Sequence, residues 1–350
     1  MGINNLYKIL RKHSPDSFKT IPLNKYAFKK IAIDSNLYMY KYKVIFGEDW
    51  LKAFTNLVCC LRKNDVHPVF IMDSQAPIEK QEEQQNRRKE RQKLKDKLIL
   101  IEKDYEEYKT SGNVSKLLQE VSDNSNKKHP KLLIKNIFNE STIINRIKIL
   151  KSQTISVTKE DFESLQKLLK VMKIPCKYAT SEAEATCSYL NIQHKVSAVL
   201  TEDTDVLAYG APKFLSSINT HNETCIEVKM KDLLTQLSMT QEEFTDMCIM
   251  CGTDYNKNIP RIGPMKSYDL ICKHRSIENV KKFTNLDISI LKHERSRELF
   301  SFGDDYFTHK IRYCKQPNMD KINKFLLINN CKIDLKYIKD CLKHKEIILK

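Results

Sequence analysis

Apolar positions along this chain follow two periods. Short apolar runs at 28–34, 67–73, 197–202, 214–218 and 225–228 read as strands. Between the first two, Trp50, Phe54, Leu57, Val58 and Leu61 recur at helical spacing. Strand, helix, strand is a crossover unit, which argues for parallel pairing. Thr158 and Asp161 form a capping-box pattern ahead of Phe162, Leu165, Leu169 and Met172, which predicts a helix there. Thr240 and Glu243 open another, whose Phe244, Met247, Cys248 and Cys251 share one face and which stops at Gly252. After Gly263-Pro264 a further helix runs to about His274. The fold class is therefore α/β, with a central, mostly parallel sheet flanked by helices.

Residues 80–155 break this rhythm. The stretch opens with RRKERQKLKDK, in which seven of the eleven residues 87–97 are basic. Leu94, Leu98, Ile101, Tyr105 and Tyr108 then mark one helical face, and residues 111–130 read as a flexible polar loop. The whole is read as a helical cap inserted over the sheet edge. It divides the chain into 1–79, the first part of a core; 80–155, the cap; 156–255, the second part of the core; and 256–350, a helical C-terminal region.

Sixty Lys and Arg against 44 Asp and Glu give a formal charge of +16 and a pI near 9.2, which favours a polyanionic partner, although a Lys-rich coding bias would raise the same count. Eleven cysteines, an odd number without framework spacing, read as reduced thiols of the cell interior. Cys248 and Cys251 form a CxxC with no second pair, so helix burial explains them better than zinc. No signal-peptide stretch opens the chain, and no apolar run approaches a membrane span. The expectation is an intracellular protein with no membrane association.

The acids are clustered where the bases are spread. Asp34, Asp73 and Asp203 each follow an apolar run, and in an open parallel sheet the carboxyl ends of strands share one edge. Glu182, Glu184, Asp205 and Asp254 stand in the short motifs SEAEA, TEDTD and CGTDY. Asp34 and Asp73 also suit helix N-caps, and Ser181 with Glu184 suits a capping box. Gathered acids need countercharge, and an all-oxygen set fits Mg2+ or Mn2+ rather than zinc. Two such ions suit in-line displacement at phosphorus.

The MGI start, AIDSN, VFIMD followed by a basic helix, SEAEA, TEDTD and CGTDYNKNIPRIGP, in that order, closely resemble the flap endonuclease branch of the structure-specific 5′-nucleases, which includes the XPG-type nucleases. The resemblance runs from Met1 to about residue 280, with the cap as the divergent part. It implies a PIN-like nuclease fold with a helix-hairpin-helix region at the C-terminal side. It makes Asp34, Asp73, Glu182, Glu184, Asp203, Asp205 and Asp254 the carboxylates of a two-metal site, bound directly or through water. Lys80 and Arg87 would contact the scissile phosphate, although the basic run is otherwise read as a solvated face. Tyr40 would stack on a base, and Gly2 would lie near the site. In NIPRIGPMK, Arg261, Gly263 and Lys266 would grip a duplex phosphate. Here Arg261 replaces a glycine of the family pattern, which puts that pattern's monovalent-cation site in question.

The implied activity is Mg2+-dependent hydrolysis of DNA near single-strand to double-strand junctions, removing 5′-flaps or 5′-terminal nucleotides in replication and repair. Rival readings are a 5′ to 3′ exonuclease, an RNA-acting relative, or a binding scaffold without chemistry. A monomer is expected, without a clamp-binding peptide, acting in the nucleus or, for a viral member, at the viral replication site.

Overall fold

The computed structural model describes residues 2–3, 5–126, 138–303 and 306–343. Met1, residues 127–130 of the expected loop and residues 344–350 of the expected C-terminal region lie outside the described residues. Seven strands form one sheet: β1 (Lys19–Pro22), β2 (Lys30–Asp34), β3 (His67–Met72), β4 (Cys176–Tyr178), β5 (Val199–Leu200), β6 (Lys213–Asn219) and β7 (Thr224–Lys229). Their order is β1-β7-β6-β5-β2-β3-β4. The run from β6 to β4 is parallel, and β7 pairs antiparallel with both β6 and β1.

Alternation along the central strands feeds two cores. Ala32, Val69 and Ile71 point to one face, covered by helices Leu6–His13, Ala183–Ile192 and Gln241–Cys251. Ile31, Ile33, Phe70 and Met72 point to the other, covered by helices Trp50–Lys63 and Lys159–Val171 and by the C-terminal helices Met319–Ile328 and Leu335–Cys341. A sheet buried on both sides suits its parallel centre. Both expected capping boxes form, at Thr158 with Asp161 and at Thr240 with Glu243. The expected helix after Gly263 is Pro264–His274. All eleven cysteines are free thiols, and Cys248 and Cys251 are buried on their helix face.

Strand limits differ from the reading of the chain. The run at 28–34 becomes a strand only at Lys30, because Phe28 takes the left-handed conformation at φ 61°. The run at 197–202 shrinks to Val199–Leu200. Strands β1 and β4 escape the pattern: both are short edge strands defined by their neighbours.

Residues 81–154 contribute three described helices, Gln81–Ser111, Lys116–Asn126 and Glu140–Thr154. The second corrects the polar loop expected from 111 to 130. Leu118 packs with Leu98, Ile101, Tyr105, Ile143, Ile147 and Leu150 in a small separate core, with Leu117 and Val121 against it. Those apolar residues outweigh the polar composition around them.

Candidate active site

The carboxyl edge of the parallel strands gathers the acids. Asp34 is the last residue of β2, and Asp73 directly follows β3. Asp203 stands three positions beyond the end of β5, and Asp205 opens the short helix Asp205–Ala208. Glu182 and Glu184 begin the helix Ala183–Ile192. Asp254 follows Gly252, whose φ of 90° ends the preceding helix. A cavity of about 770 Å³ is lined by Asp34, Asp73, Glu182, Glu184, Asp203 and Asp254. Asp205 completes the group from behind: Glu184, Asp203 and Asp205 each place a carboxylate oxygen within 4.8 Å of the others.

The acids are held partly by the local caps the sequence implies and partly by other partners. Asp34 does cap its helix, its Oδ1 accepting from the Asn36 and Leu37 amides at 3.1 and 3.2 Å, while Oδ2 accepts from Thr201 Oγ1 at 3.2 Å. Asp73 caps a helix distant in sequence, accepting from the Ala183 amide at 2.7 Å and from the Asn36 side-chain amide. The Ser181–Glu184 capping box does not form. Glu182 is the N-cap residue, and the Ser181 hydroxyl pairs with Tyr306 at 2.9 Å. Glu184 is instead buried within the acidic group. Tyr255 donates to Glu182 Oε2 at 2.5 Å and meets Tyr209 at 2.6 Å. Asn36, Thr201 and Tyr255 were not singled out from the sequence. All three do stand within the motifs AIDSN, TEDTD and CGTDY.

Burial and crowding raise the proton affinity of Asp34, Asp73, Glu182, Asp203 and Asp205. Burial, then the Glu184 carboxylate, pushes Asp203 up to about 6, and burial, then Glu184, pushes Asp73 up to about 7. Burial raises Asp34 well above the carboxylate range, with Glu184 and Asp73 adding to it. Asp205 rises for the same reason, helped by Asp203 and Asp254. Its Oδ1 is buried with no hydrogen-bond partner. An orphaned, buried oxygen inside a set of mutually repelling hard oxygens fits a divalent metal ion, which would supply the missing countercharge.

Lys80 and Arg87 rise from the base of the cap into this group. Lys80 pairs with Glu182, with Glu184 at 3.4 Å and with Asp254 at 3.0 Å. Burial alone would depress its pKa, but the facing carboxylates of Glu184, Glu182 and Asp254 together outweigh that and raise it. Arg87 reaches Asp254 at 2.6 Å and Glu83 at 2.8 Å. Arg88 and Arg91 line the same cavity, so part of the basic run faces the site rather than solvent alone. Tyr40 also lines it, half-buried. Gly2 lies against the acids at φ 86°, where a β-carbon would come within 2.7 Å of Asp205 Oδ1.

Arg261 and Gly263 stand on the turn before helix Pro264–His274 and Lys266 in its first turn, and none of the three lines the acidic cavity. Arg261 takes the left-handed conformation at φ 65°, so the arginine keeps the backbone that a glycine would hold there. Lys266 Nζ reaches the Arg261 carbonyl at 3.5 Å, and both side chains are exposed.

Residues 1–94 match the family model of the XPG N-terminal domain, and residues 173–254 match that of the XPG I-region. The chain is 34% identical over 378 residues to the probable RAD2-like endonuclease 369L of Invertebrate iridescent virus 6, covering 97% of this chain and 91% of that one. It is 29% identical over 304 residues to flap endonuclease 1 of Zea mays, covering 82% and 70%. Among solved structures, the catalytic core of Rad2 in complex with DNA substrate shares the fold at a TM-score of 0.66 and 15% identity, over 97% of this chain and 99% of that one.

Proposed function

We propose that this chain, which belongs to the XPG and RAD2-like family of structure-specific nucleases, hydrolyses DNA phosphodiester bonds beside single-strand to double-strand junctions with the help of Mg2+. The observation that carries this reading is the convergence of seven carboxylates, with Lys80 and Arg87 among them, at one sheet edge beneath a basic cap. Glu184, Asp203 and Asp205 would hold one ion, with Asp34, Asp73, Glu182 and Asp254 completing a two-ion set directly or through water. When bound, such ions lower the pKa of an attacking water and stabilise the departing 3′-oxygen.

The protein's own residues then divide the remaining work. Lys80 and Arg87 are held by Glu182, Glu184 and Asp254 at the cavity wall, so their charges are in place before substrate arrives. Facing a scissile phosphate, they would stabilise charge that grows in the transition state. Tyr255 orients Glu182 by its hydrogen bond. Tyr40 offers a ring to the base beside the cleavage point. Arg261 and Lys266 would hold the duplex by its backbone, which positions the junction without reading sequence. In this reading the enzyme trims displaced 5′ ends where DNA is replicated or repaired.

A labelled panel of 5′-flap, nicked, gapped, hairpin, single-stranded and RNA substrates, with and without Mg2+, tests this. Flap substrates should be cut at the junction, with activity lost in excess EDTA and restored by Mg2+ or Mn2+. Cleavage that persists in EDTA, or that is confined to RNA or to single-strand ends, would overturn it.

A further inference from the structure

A second charged surface lies at the other end of the strands. Lys310, Arg312 and Lys315, from an irregular segment near the C-terminal side, meet Lys170, Lys173 and Lys177, from the end of helix Lys159–Val171 and the start of β4. Together they line a groove of about 530 Å³ that contains no acidic residue. The segment is tied down firmly. Lys315 N donates to the Lys173 carbonyl at 3.2 Å, Cys314 N to His67 Nδ1 at 3.3 Å, and Lys30 Nζ to the Ile311 carbonyl at 3.2 Å. Lys30 and His67 are the first residues of β2 and β3, so the 310–315 side of the groove sits at the amino ends of those strands, while Lys177 on the other side pairs with Ile71 further along β3. The length of β2, on the order of 16 Å, separates that 310–315 side from the acids.

Two features ask for a ligand. Among the described residues none of these six cations has an ion-pair partner, whereas Lys80 and Arg87 in the cleft are fully engaged with carboxylates. Like charges are packed here without relief: Lys30 is depressed below the usual lysine range by burial and then by Lys310. Between the cations stands Tyr313, 52% exposed, its ring fixed by Lys30 Nζ at 4.9 Å from the centroid and by the His67 ring edge-on at 4.8 Å. A basic groove with a held, exposed ring matches the chemistry of single-strand recognition, in which phosphates follow the cations and a base stacks on the ring. An acidic peptide would use the cations but has no need of the ring.

We propose that this groove binds single-stranded DNA as a second site, remote from the catalytic cleft. Because the readout is binding without metal, it stands or fails independently of the cleavage reading. In EDTA the uncompensated acids of the cleft repel a phosphate backbone, which favours this groove as the place where a strand settles.

The test uses the full chain with fluorescein-labelled thirty-residue oligothymidylate in EDTA, titrated at several salt concentrations. The combined variant Lys173→Ser, Lys310→Ser, Arg312→Ser, Lys315→Ser, shown to be folded by circular dichroism, should bind at least tenfold more weakly. Its dependence of log affinity on log salt should flatten by about 0.7 per lost contact. Tyr313→Ala should weaken binding about fivefold or more while Tyr313→Phe keeps it, since stacking needs the ring and not the hydroxyl. Unchanged affinity and salt slope in the combined variant would overturn the site. Equal losses on a blunt hairpin duplex, or no loss with Tyr313→Ala, would overturn its assignment to single strands. Competition by polyglutamate as strong as that by unlabelled oligothymidylate would give the groove to an acidic protein segment instead.

Discussion

Replacing Asp203 by Asn should make the metal-free protein more stable while weakening its chemistry. The folded protein raises this carboxyl from its ordinary 3.8 to about 6, through burial and then the nearby Glu184. A raised acid pKa destabilises the fold at neutral pH. Below about pH 4 both folded and unfolded chains hold the proton, and Asp203 contributes nothing. As pH rises from 4 to 6 the unfolded chain releases its proton first, so stability falls, and above 6 the full loss is present. At about 1.4 kcal/mol per tenfold change in proton affinity, that loss approaches roughly 3 kcal/mol. Asp203→Asn keeps the acceptor for the Asp205 amide, which Oδ1 now holds at 3.0 Å, and removes the charge. Some of the repulsion is shared with Asp205, so the net gain should be about 1–3 kcal/mol.

The assay is urea unfolding of both proteins in EDTA from pH 4 to pH 8. The variant's advantage should be near zero at pH 4 and fully developed by pH 7. Saturating Mg2+ should reverse the order, because the parent gains binding energy, about 2.7 kcal/mol at a hundredfold excess over its dissociation constant, and the variant has lost a ligand. A variant no more stable than the parent at pH 7.5 in EDTA, or an advantage independent of pH, would refute the reasoning that these acids are held together at the expense of the fold.

Three further perturbations separate the parts of the site. Arg87→Ala should slow single-turnover cleavage about a hundredfold to a thousandfold while leaving the metal titration unchanged; cleavage at the parent rate would return Arg87 to the role of a surface cation. Gly2→Ala places a methyl group against Asp205 and Thr204 at a φ that suits glycine, so metal affinity measured by calorimetry should fall; parent-like binding would mean that the amino terminus does not rest on the acids in solution. Arg261→Gly should relieve a left-handed arginine, raising stability by about 1 kcal/mol. It should also weaken duplex binding and flatten its salt dependence by about 0.9; an unchanged salt slope would remove Arg261 from the duplex contact.

What the chain reveals by itself depends on how local the cause is. The capping boxes at Thr158 and Thr240 formed because every participant lies within one helical turn. The edge that gathers the acids was readable because a parallel sheet sends the carboxyl ends of all its strands to the same side. Strands β1 and β4 were not readable: each is a few residues long and gains strand character only by pairing, β1 with β7 and β4 with β3. The helix Lys116–Asn126 was masked by the Ser, Asn and Lys residues around its few apolar positions, which find their partners some twenty-five residues away in Ile143 and Ile147. The basic groove joins residues 170–177 to 310–315, so no window of the sequence contains it.

Asp34 shows why local patterns and function need not compete. Read from the sequence, it was either a helix cap or a member of the acidic site. In the folded protein its oxygens are divided: Oδ1 takes the Asn36 and Leu37 amides, and Oδ2 takes the Thr201 hydroxyl on the side of the acids. Asn36 carries the linkage onward, since its side chain both donates to Asp73 and accepts from the Asp73 amide at 3.2 Å. Asp73 in turn caps the helix that presents Glu184. The caps therefore form a chain of contacts that sets the spacing of the acids, and each cap, worth about 1 kcal/mol to its helix, also offsets part of the repulsion that the site creates. A substitution that deletes the Asp34 side chain would remove a cap and an acid together. Asp203, whose side chain accepts among the described residues from the Asp205 amide two residues on, allows the charge to be removed while the frame stays in place.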